Sequence, residues 1–289
     1  MNKELEEYLI EQVKKDPLSL KEVKNQTENI CLEAVKHDGW VIMYVKNQTI
    51  RVCLAAVKQN GYSLVHVKRQ TPEICLAAVK ENGLALKYVK DQTEKVCLAA
   101  VKQVGYVLRM VKDQTEEMCL EAIKQDGNIL EYVKRQNEKI CLAAVKQNGD
   151  ALFYVKNKTP EICLEAVRQR GSALCYVKKQ TEEICLEAVK QNGLVLQFVN
   201  NKTDNICREA LKNNFNASIR LIDIKKKSTA IIILEAFLQN TKDKVILNNI
   251  IEKFSKDKEI LNFYTKHKLW NYVNFGELNC ELSRYAMTR

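Results

Sequence analysis

Cysteine is the residue of this chain whose chemistry and spacing first demand a reading. Cys31, Cys53, Cys75, Cys97, Cys119, Cys141, Cys163, Cys185 and Cys207 recur every 22 residues and take nine of the eleven cysteines in 289 residues. Such a row suggests disulfides, a metal centre or redox exchange. The spacing argues against all three. Cysteines on successive packed helices lie roughly 8–10 Å apart. A disulfide needs Cα atoms within about 7 Å, and a zinc site needs four ligands about 2.3 Å from one ion. No Cys-x-x-Cys occurs, and there are only three histidines. The expectation is no metal and no cofactor, with each ladder cysteine a small buried apolar residue. So many unpaired thiols point to a reducing, cytoplasmic compartment.

Lysine keeps the same period twice. Lys36, Lys58, Lys80, Lys102, Lys124, Lys146, Arg168 and Lys190 form one row, five residues after each cysteine. With no regular acidic partner evident in the sequence, this row is the candidate polyanion-binding edge. Lys46, Lys68, Lys90, Lys112, Lys134, Lys156 and Lys178 form a second row. It lies near the acidic start of the following helix and is expected to be largely neutralised. The net charge of +10, from 46 basic and 36 acidic residues, is modest for a chain of this length.

These rows need a scaffold that repeats with them. Gly39, Gly61, Gly83, Gly105, Gly127, Gly149, Gly171 and Gly193 each follow a ladder cysteine by eight residues. Thr or Asn stands four residues before each cysteine, as at Thr27, Thr93 and Asn137, where its side chain caps a helix N-terminus. Pro72 and Pro160 follow at the first helical position. Lysine closes the helix, and glycine is expected to end it in the left-handed conformation. This gives a helix A of about ten residues. A second apolar set, as in Ala85, Leu86, Tyr88 and Val89, predicts a helix B of seven or eight residues, either α or partly 3-10. Neither would persist alone, so neighbouring repeats must share a core.

The fold class is therefore all-α, an α-solenoid of about ten 22-residue helix-turn-helix repeats. The repeats cover 1–221 with degenerate first and last units. The segment 222–289 is a helical C-terminal cap or docking module, with helical patterns at 228–239, 243–254 and 258–272. Trp270, Tyr272 and Phe275 are its candidate aromatic anchors. The longest aliphatic run, Ala230 to Leu234, is too short to cross a bilayer, and the charged start gives no expectation of a secretory signal. No phosphate-cradling glycine loop and no Ser/His/Asp arrangement is recognisable, so an enzyme is not expected.

Positions that vary between repeats are the ones free to face a partner. The slot after glycine holds Trp40, Tyr62, Leu84 and Tyr106, then turns polar at Asn128 and Asp150. If exposed, the first four make an apolar stripe of the kind that marks interaction surfaces. They are the candidate partner-binding residues. A further ladder, Tyr44, Tyr88, Tyr132, Tyr154, Tyr176 and Phe198, fits either packing between helices or stacking on bases.

The unit Ile-Cys-Leu-x-Ala-Val-Lys-x-x-Gly-x-x-Leu-x-Tyr-Val-Lys-x-Gln-Thr resembles a short helical repeat family of unknown function, found in giant DNA viruses of amoebae and in some bacteria. The resemblance covers roughly 9–221. It implies no activity and no functional residues, and it implies host cytoplasm, viral factory or virion as the location. The functional expectation is a non-catalytic scaffold that binds a protein or peptide along one face. The alternatives are nucleic-acid or other polyanion binding through the lysine row, or a structural role in a virion.

Overall fold

The computed structural model describes residues 2–223, 226–240, 244–254 and 256–269. The chain forms two compact units, residues 1–156 and 157–289. This division falls inside the repeats, whereas the repeat pattern itself fades near 221. Trp270, Tyr272 and Phe275 lie outside the described residues.

The first unit alternates α-helices and 3-10 helices in strict order. Helix A runs over Lys3–Lys15, Glu28–His37, Ile50–Gln59, Pro72–Glu81, Glu94–Gln103, Glu116–Gln125 and Glu138–Gln147. Helix B runs over Pro17–Glu22, Gly39–Tyr44, Gly61–His66, Gly83–Tyr88, Gly105–Met110, Gly127–Tyr132 and Gly149–Tyr154. Each helix A packs on the next one within the unit, and each helix B packs on the following helix A. The second unit continues with helix A at Pro160–Gln169, Glu182–Gln191 and Asp204–Asn213 and helix B at Gly171–Tyr176 and Gly193–Phe198. Among the described residues there is no strand. The chain is an all-α solenoid of 22-residue repeats.

The caps explain the helix lengths. Thr27, Thr49, Thr71, Thr93, Thr115, Thr159, Thr181 and Thr203 each accept the N–H of the residue three positions on, as does Asn137. Helix A is ten residues long from Glu28 onward, as expected. Helix B differs from expectation: it has six residues and is 3-10 throughout. Its start is set by a residue that the sequence reading gave no role. Asp38 leaves helix A extended, at φ −143°, and its Oδ1 accepts the N–H of Trp40 at 2.9 Å. Asn60, Asn82, Asp126, Asn148 and Asn192 do the same. One side chain thus ends one helix and starts the next, a local bond typical of Asx turns.

The glycines correct a second expectation. No described glycine has positive φ, so none closes helix A in the left-handed conformation. Glycine opens helix B because the next repeat leaves no room for a Cβ. At Gly127 it would stand 2.5 Å from the Ala144 carbonyl oxygen.

The core is the shared interior of the repeats. Ile74, Cys75, Ala78, Val79, Ala85, Leu86 and Val89 are buried in one unit, and the matching positions are buried in the others. In the second unit, helix Lys227–Asn240 packs along Asp204–Asn213, with Phe215 and Phe237 meeting edge to face at 6.4 Å and Arg208 paired to Glu235. It covers the last recognisable repeat helix with Ile232, Ile233 and Leu234 buried. Helices Lys244–Lys253 and Lys258–Lys266 follow, the last shorter than the expected run to 272.

Candidate binding face

Most constant polar positions of the repeat are consumed in joining one repeat to the next. Gln114 shows how. Its Nε2 donates to Leu108 O of its own repeat at 3.0 Å and to Tyr132 O of the next at 2.9 Å. Its Oε1 accepts the Lys134 N–H at 2.9 Å. Gln26, Gln48, Gln70 and Gln136 make the same three bonds. These side chains satisfy the backbone groups that a short 3-10 helix leaves orphaned at its end.

A second glutamine ladder serves the other junction. Gln125 Oε1 accepts the Gly105 N–H at 2.6 Å, while its Nε2 donates to the Val101 and Lys102 carbonyls at 2.8 and 3.2 Å. Gln59, Gln103 and, in the second unit, Gln191 repeat the arrangement. The first ladder was visible in the sequence as the glutamine that ends the unit; the second place holds glutamine in most repeats but His37 and Glu81 in two, and the roles of both depend on the neighbouring repeat.

The cysteines belong to the first ladder. All nine are buried and free. The thiols of Cys75, Cys97 and Cys141 in the first unit donate weakly to Gln70, Gln92 and Gln136 at 3.6–3.7 Å. Burial pushes the Cys31 thiol up to about 11 and raises the other ladder thiols in the same direction. A reactive or metal-binding thiol needs the opposite shift. No group of three or more His, Cys, Asp or Glu side chains suited to a metal ion occurs among the described residues.

The two lysine rows depart in part from their expected characters. In the first row, Lys36 pairs with Glu33 at 2.5 Å, Lys124 with Glu121 at 2.5 Å, Lys190 with Glu187 at 3.7 Å and Lys102 with Glu117 at 3.7 Å. For Lys36, Lys124 and Lys190 the glutamate three residues back is the acidic partner that the sequence reading missed, whereas Lys102, with alanine at that place, reaches Glu117 of the next helix A. Lys58, Lys80 and Lys146, which have alanine at that place, and Arg168 are exposed. In the second row the ammonium groups cap backbone instead of meeting acids. Lys46 donates to Lys24 O at 2.8 Å, Lys134 to Lys112 O at 2.6 Å and Lys156 to Lys134 O at 3.1 Å. Lys68 and Lys90 reach the equivalent carbonyls at 3.4 Å.

The slot after glycine meets the aromatic ladder of the following repeat. Trp40 stands edge-on to His66 at 5.2 Å, Tyr62 to Tyr88 at 6.1 Å, and Tyr106 to Tyr132 at 5.1 Å. The hydrogen bond with Tyr106, together with burial, raises the Tyr132 phenol. These contacts leave much of the row open. Trp40 is 39 % exposed, Leu84 38 % and Tyr106 42 %, and Met43 and Val65 add exposed apolar surface beside them. Tyr62 is half-buried. The structure therefore brings the four candidate residues onto the outer side of successive helices B in the first unit. Two cations lie across this row: Lys87 Nζ is 4.5 Å from the Tyr88 ring and 5.3 Å from that of Tyr62, and the Arg109 guanidinium is 4.5 Å from the Tyr106 ring.

Alternating α and 3-10 helices, tied at both junctions by side-chain ladders, define a short-repeat α-solenoid. The family described as Domain of unknown function (DUF4116) matches residues 27–70, 50–92, 115–159, 159–203 and 181–223. These tandem matches cover more than half of the chain, which belongs to that family. Comparisons with curated proteins and with solved structures gave no match.

Proposed function

We propose that the protein is a non-catalytic scaffold that binds a protein or peptide partner along the helix B face of its first unit. The observation that carries this reading is the row of exposed Trp40, Leu84 and Tyr106 with half-buried Tyr62, widened by Met43 and Val65. It stands on repeats whose conserved-in-period polar side chains are already engaged in inter-repeat bonds. Contiguous apolar surface on a rigid support is characteristic of interaction sites. The free ladder thiols agree with a reducing, cytoplasmic setting.

The test is partner capture by the immobilised full chain, compared with Trp40→Ala combined with Tyr62→Ala. The double variant loses the captured partner and keeps its helical spectrum. Equal capture by both removes this face from consideration.

A second reading is polyanion binding. It is favoured by Lys46, Lys68, Lys90 and Lys134, which cap carbonyls and form none of the ion pairs described above. It predicts affinity for nucleic acid that falls linearly with the logarithm of salt concentration. Absence of binding at about 50 mM salt, where such contacts are strongest, would sink it.

A further inference from the structure

We infer that the occupant of this face is an extended acidic peptide carrying an apolar side chain at about every third residue. This inference rests on the peptide-scaffold reading and narrows it to one class of partner.

The first argument is charge. Helices Gly39–Tyr44, Gly61–His66, Gly83–Tyr88 and Gly105–Met110 contain no aspartate or glutamate. Their charged side chains are Lys87 and Arg109, and both are held against the aromatic rings of the apolar row. Arg109 Nη1 also donates to the Tyr106 hydroxyl at 2.8 Å. A guanidinium on a ring face keeps donors free for a carboxylate. Each of these four helices is followed by a lysine, and the ammonium groups of Lys46, Lys68 and Lys90 end on backbone carbonyls rather than carboxylates. The character changes at Gly127–Tyr132, where Asn128 and Glu131 occupy the two outward slots. The apolar and cationic stretch is thus four repeats long.

The second argument is spacing. Packed helices set successive rungs roughly 8–10 Å apart. A polyproline II chain rises about 3.1 Å per residue with three residues per turn, which returns the same side after about 9 Å. One apolar side chain per rung therefore means one per three residues, and four rungs accept about twelve residues. Carboxylates at the intervening positions would meet Lys87, Arg109 and the lysines after each helix B.

The third argument separates this partner from single-stranded nucleic acid. Base stacking needs open ring faces. Here Tyr62 and Tyr106 pack in T-shaped contacts on the next repeat and carry cations on their faces, and Leu84 offers no ring, which leaves Trp40 as a single stacking platform where a strand needs several.

The experiment is selection of a random twelve-residue peptide display library on the immobilised full chain. Acidic sequences with apolar residues three apart are expected to enrich. The best selected peptide, made synthetically, should bind at least tenfold more weakly to Lys87→Glu combined with Arg109→Glu, with the thermal transition of the variant unchanged. Enrichment of peptides without acidic bias, or equal binding by the charge-reversed variant, overturns the acidic class while peptide binding stands. Failure to enrich any peptide overturns both. Tighter binding of a twenty-nucleotide polythymidine than of every selected peptide overturns the inference in favour of nucleic acid.

Discussion

The outward surfaces of helix A and helix B come from the same 22-residue unit, yet they dispose of charge in opposite ways. On helix A, Lys36 and Lys124 find glutamates three residues back on their own helix, so these charges are balanced locally. On helix B, Lys87 and Arg109 find aromatic rings, and the lysines that follow find carbonyls. A helix with an i, i+3 glutamate partner completes its electrostatics alone. On the six-residue 3-10 helix the i, i+3 place of Arg109 holds Tyr106 rather than a carboxylate, which leaves a cation and a ring facing outward. The contrast separates a surface that is self-contained from one that is open to a partner.

Breaking the junction between the two surfaces should have the largest effect. Gln114→Leu removes three bonds and strands the Leu108 and Tyr132 carbonyls and the Lys134 N–H. At about 1 kcal/mol for each group left without a partner, the expected loss is about 3 kcal/mol by chemical denaturation. Unchanged stability would remove the glutamine ladder from the account.

Glycine substitutions sharpen the same point. Gly127→Ala drives a Cβ into the Ala144 carbonyl oxygen at 2.5 Å and should cost about 1–3 kcal/mol, the range for overpacking. Gly105→Ala should cost less, because its closest neighbour is the end of the Ile129 side chain at 2.9 Å and the Ala122 oxygen is at 3.0 Å. The reverse order would show that backbone conformation, not the adjacent repeat, selects glycine.

Cys75→Ser puts a more polar group at a buried position whose one acceptor nearby is Gln70 Oε1 and should cost about 1 kcal/mol. The thiols also set an alkaline limit. Their folded pKa values lie above the ordinary thiol value, to about 11 for Cys31, because burial penalises the thiolate. The unfolded chain then releases its thiol protons first. This contribution to stability is whole below about pH 8.5 and is lost as pH rises toward 11. Cys31→Ala should flatten that part of the denaturation profile. The smallest effect belongs to helix A: Lys124→Ala breaks an exposed pair with Glu121 and should change stability by no more than about 0.5 kcal/mol.

The sequence was informative where structure is local. Threonine caps and apolar spacing placed helix A to within a residue, since Thr27 and its equivalents act on backbone three residues away. The period alone established the solenoid. It did not reveal why glycine recurs, because the atom excluding a Cβ at Gly127 sits in the next repeat, 17 residues along. Helix B was set too long because its end is closed by bonds the unit pattern does not show, such as Gln48 Nε2 to Ile42 O, and Asp38 and the other Asx residues were not read as its start. The glutamine that ends the unit was noted without a role and the one after the helix A lysine was not noted, since their carbonyl partners lie up to 24 residues away in the chain. Of the candidate site, the exposure that the sequence reading left as a condition is met at Trp40, Leu84 and Tyr106 and only in part at Tyr62. The partners of the lysine rows were read only in part, because the glutamate three residues back occurs only in some repeats and the carbonyl-capping geometry depends on stacking.

The most direct test of this division between junction and open face is one comparison of thermal unfolding. One variant carries Gln70→Leu, Gln92→Leu and Gln114→Leu; the other carries Trp40→Ala, Leu84→Ala and Tyr106→Ala. The ladder variant should melt about 16 °C or more below the parent chain, from roughly 8 kcal/mol of lost bonding, Gln92 making two such bonds and Gln70 and Gln114 three each, at about 2–4 °C per kcal/mol, and the face variant should stay within about 10 °C of the parent. A face variant that melts as low as the ladder variant, or a ladder variant that melts with the parent, would contradict the account.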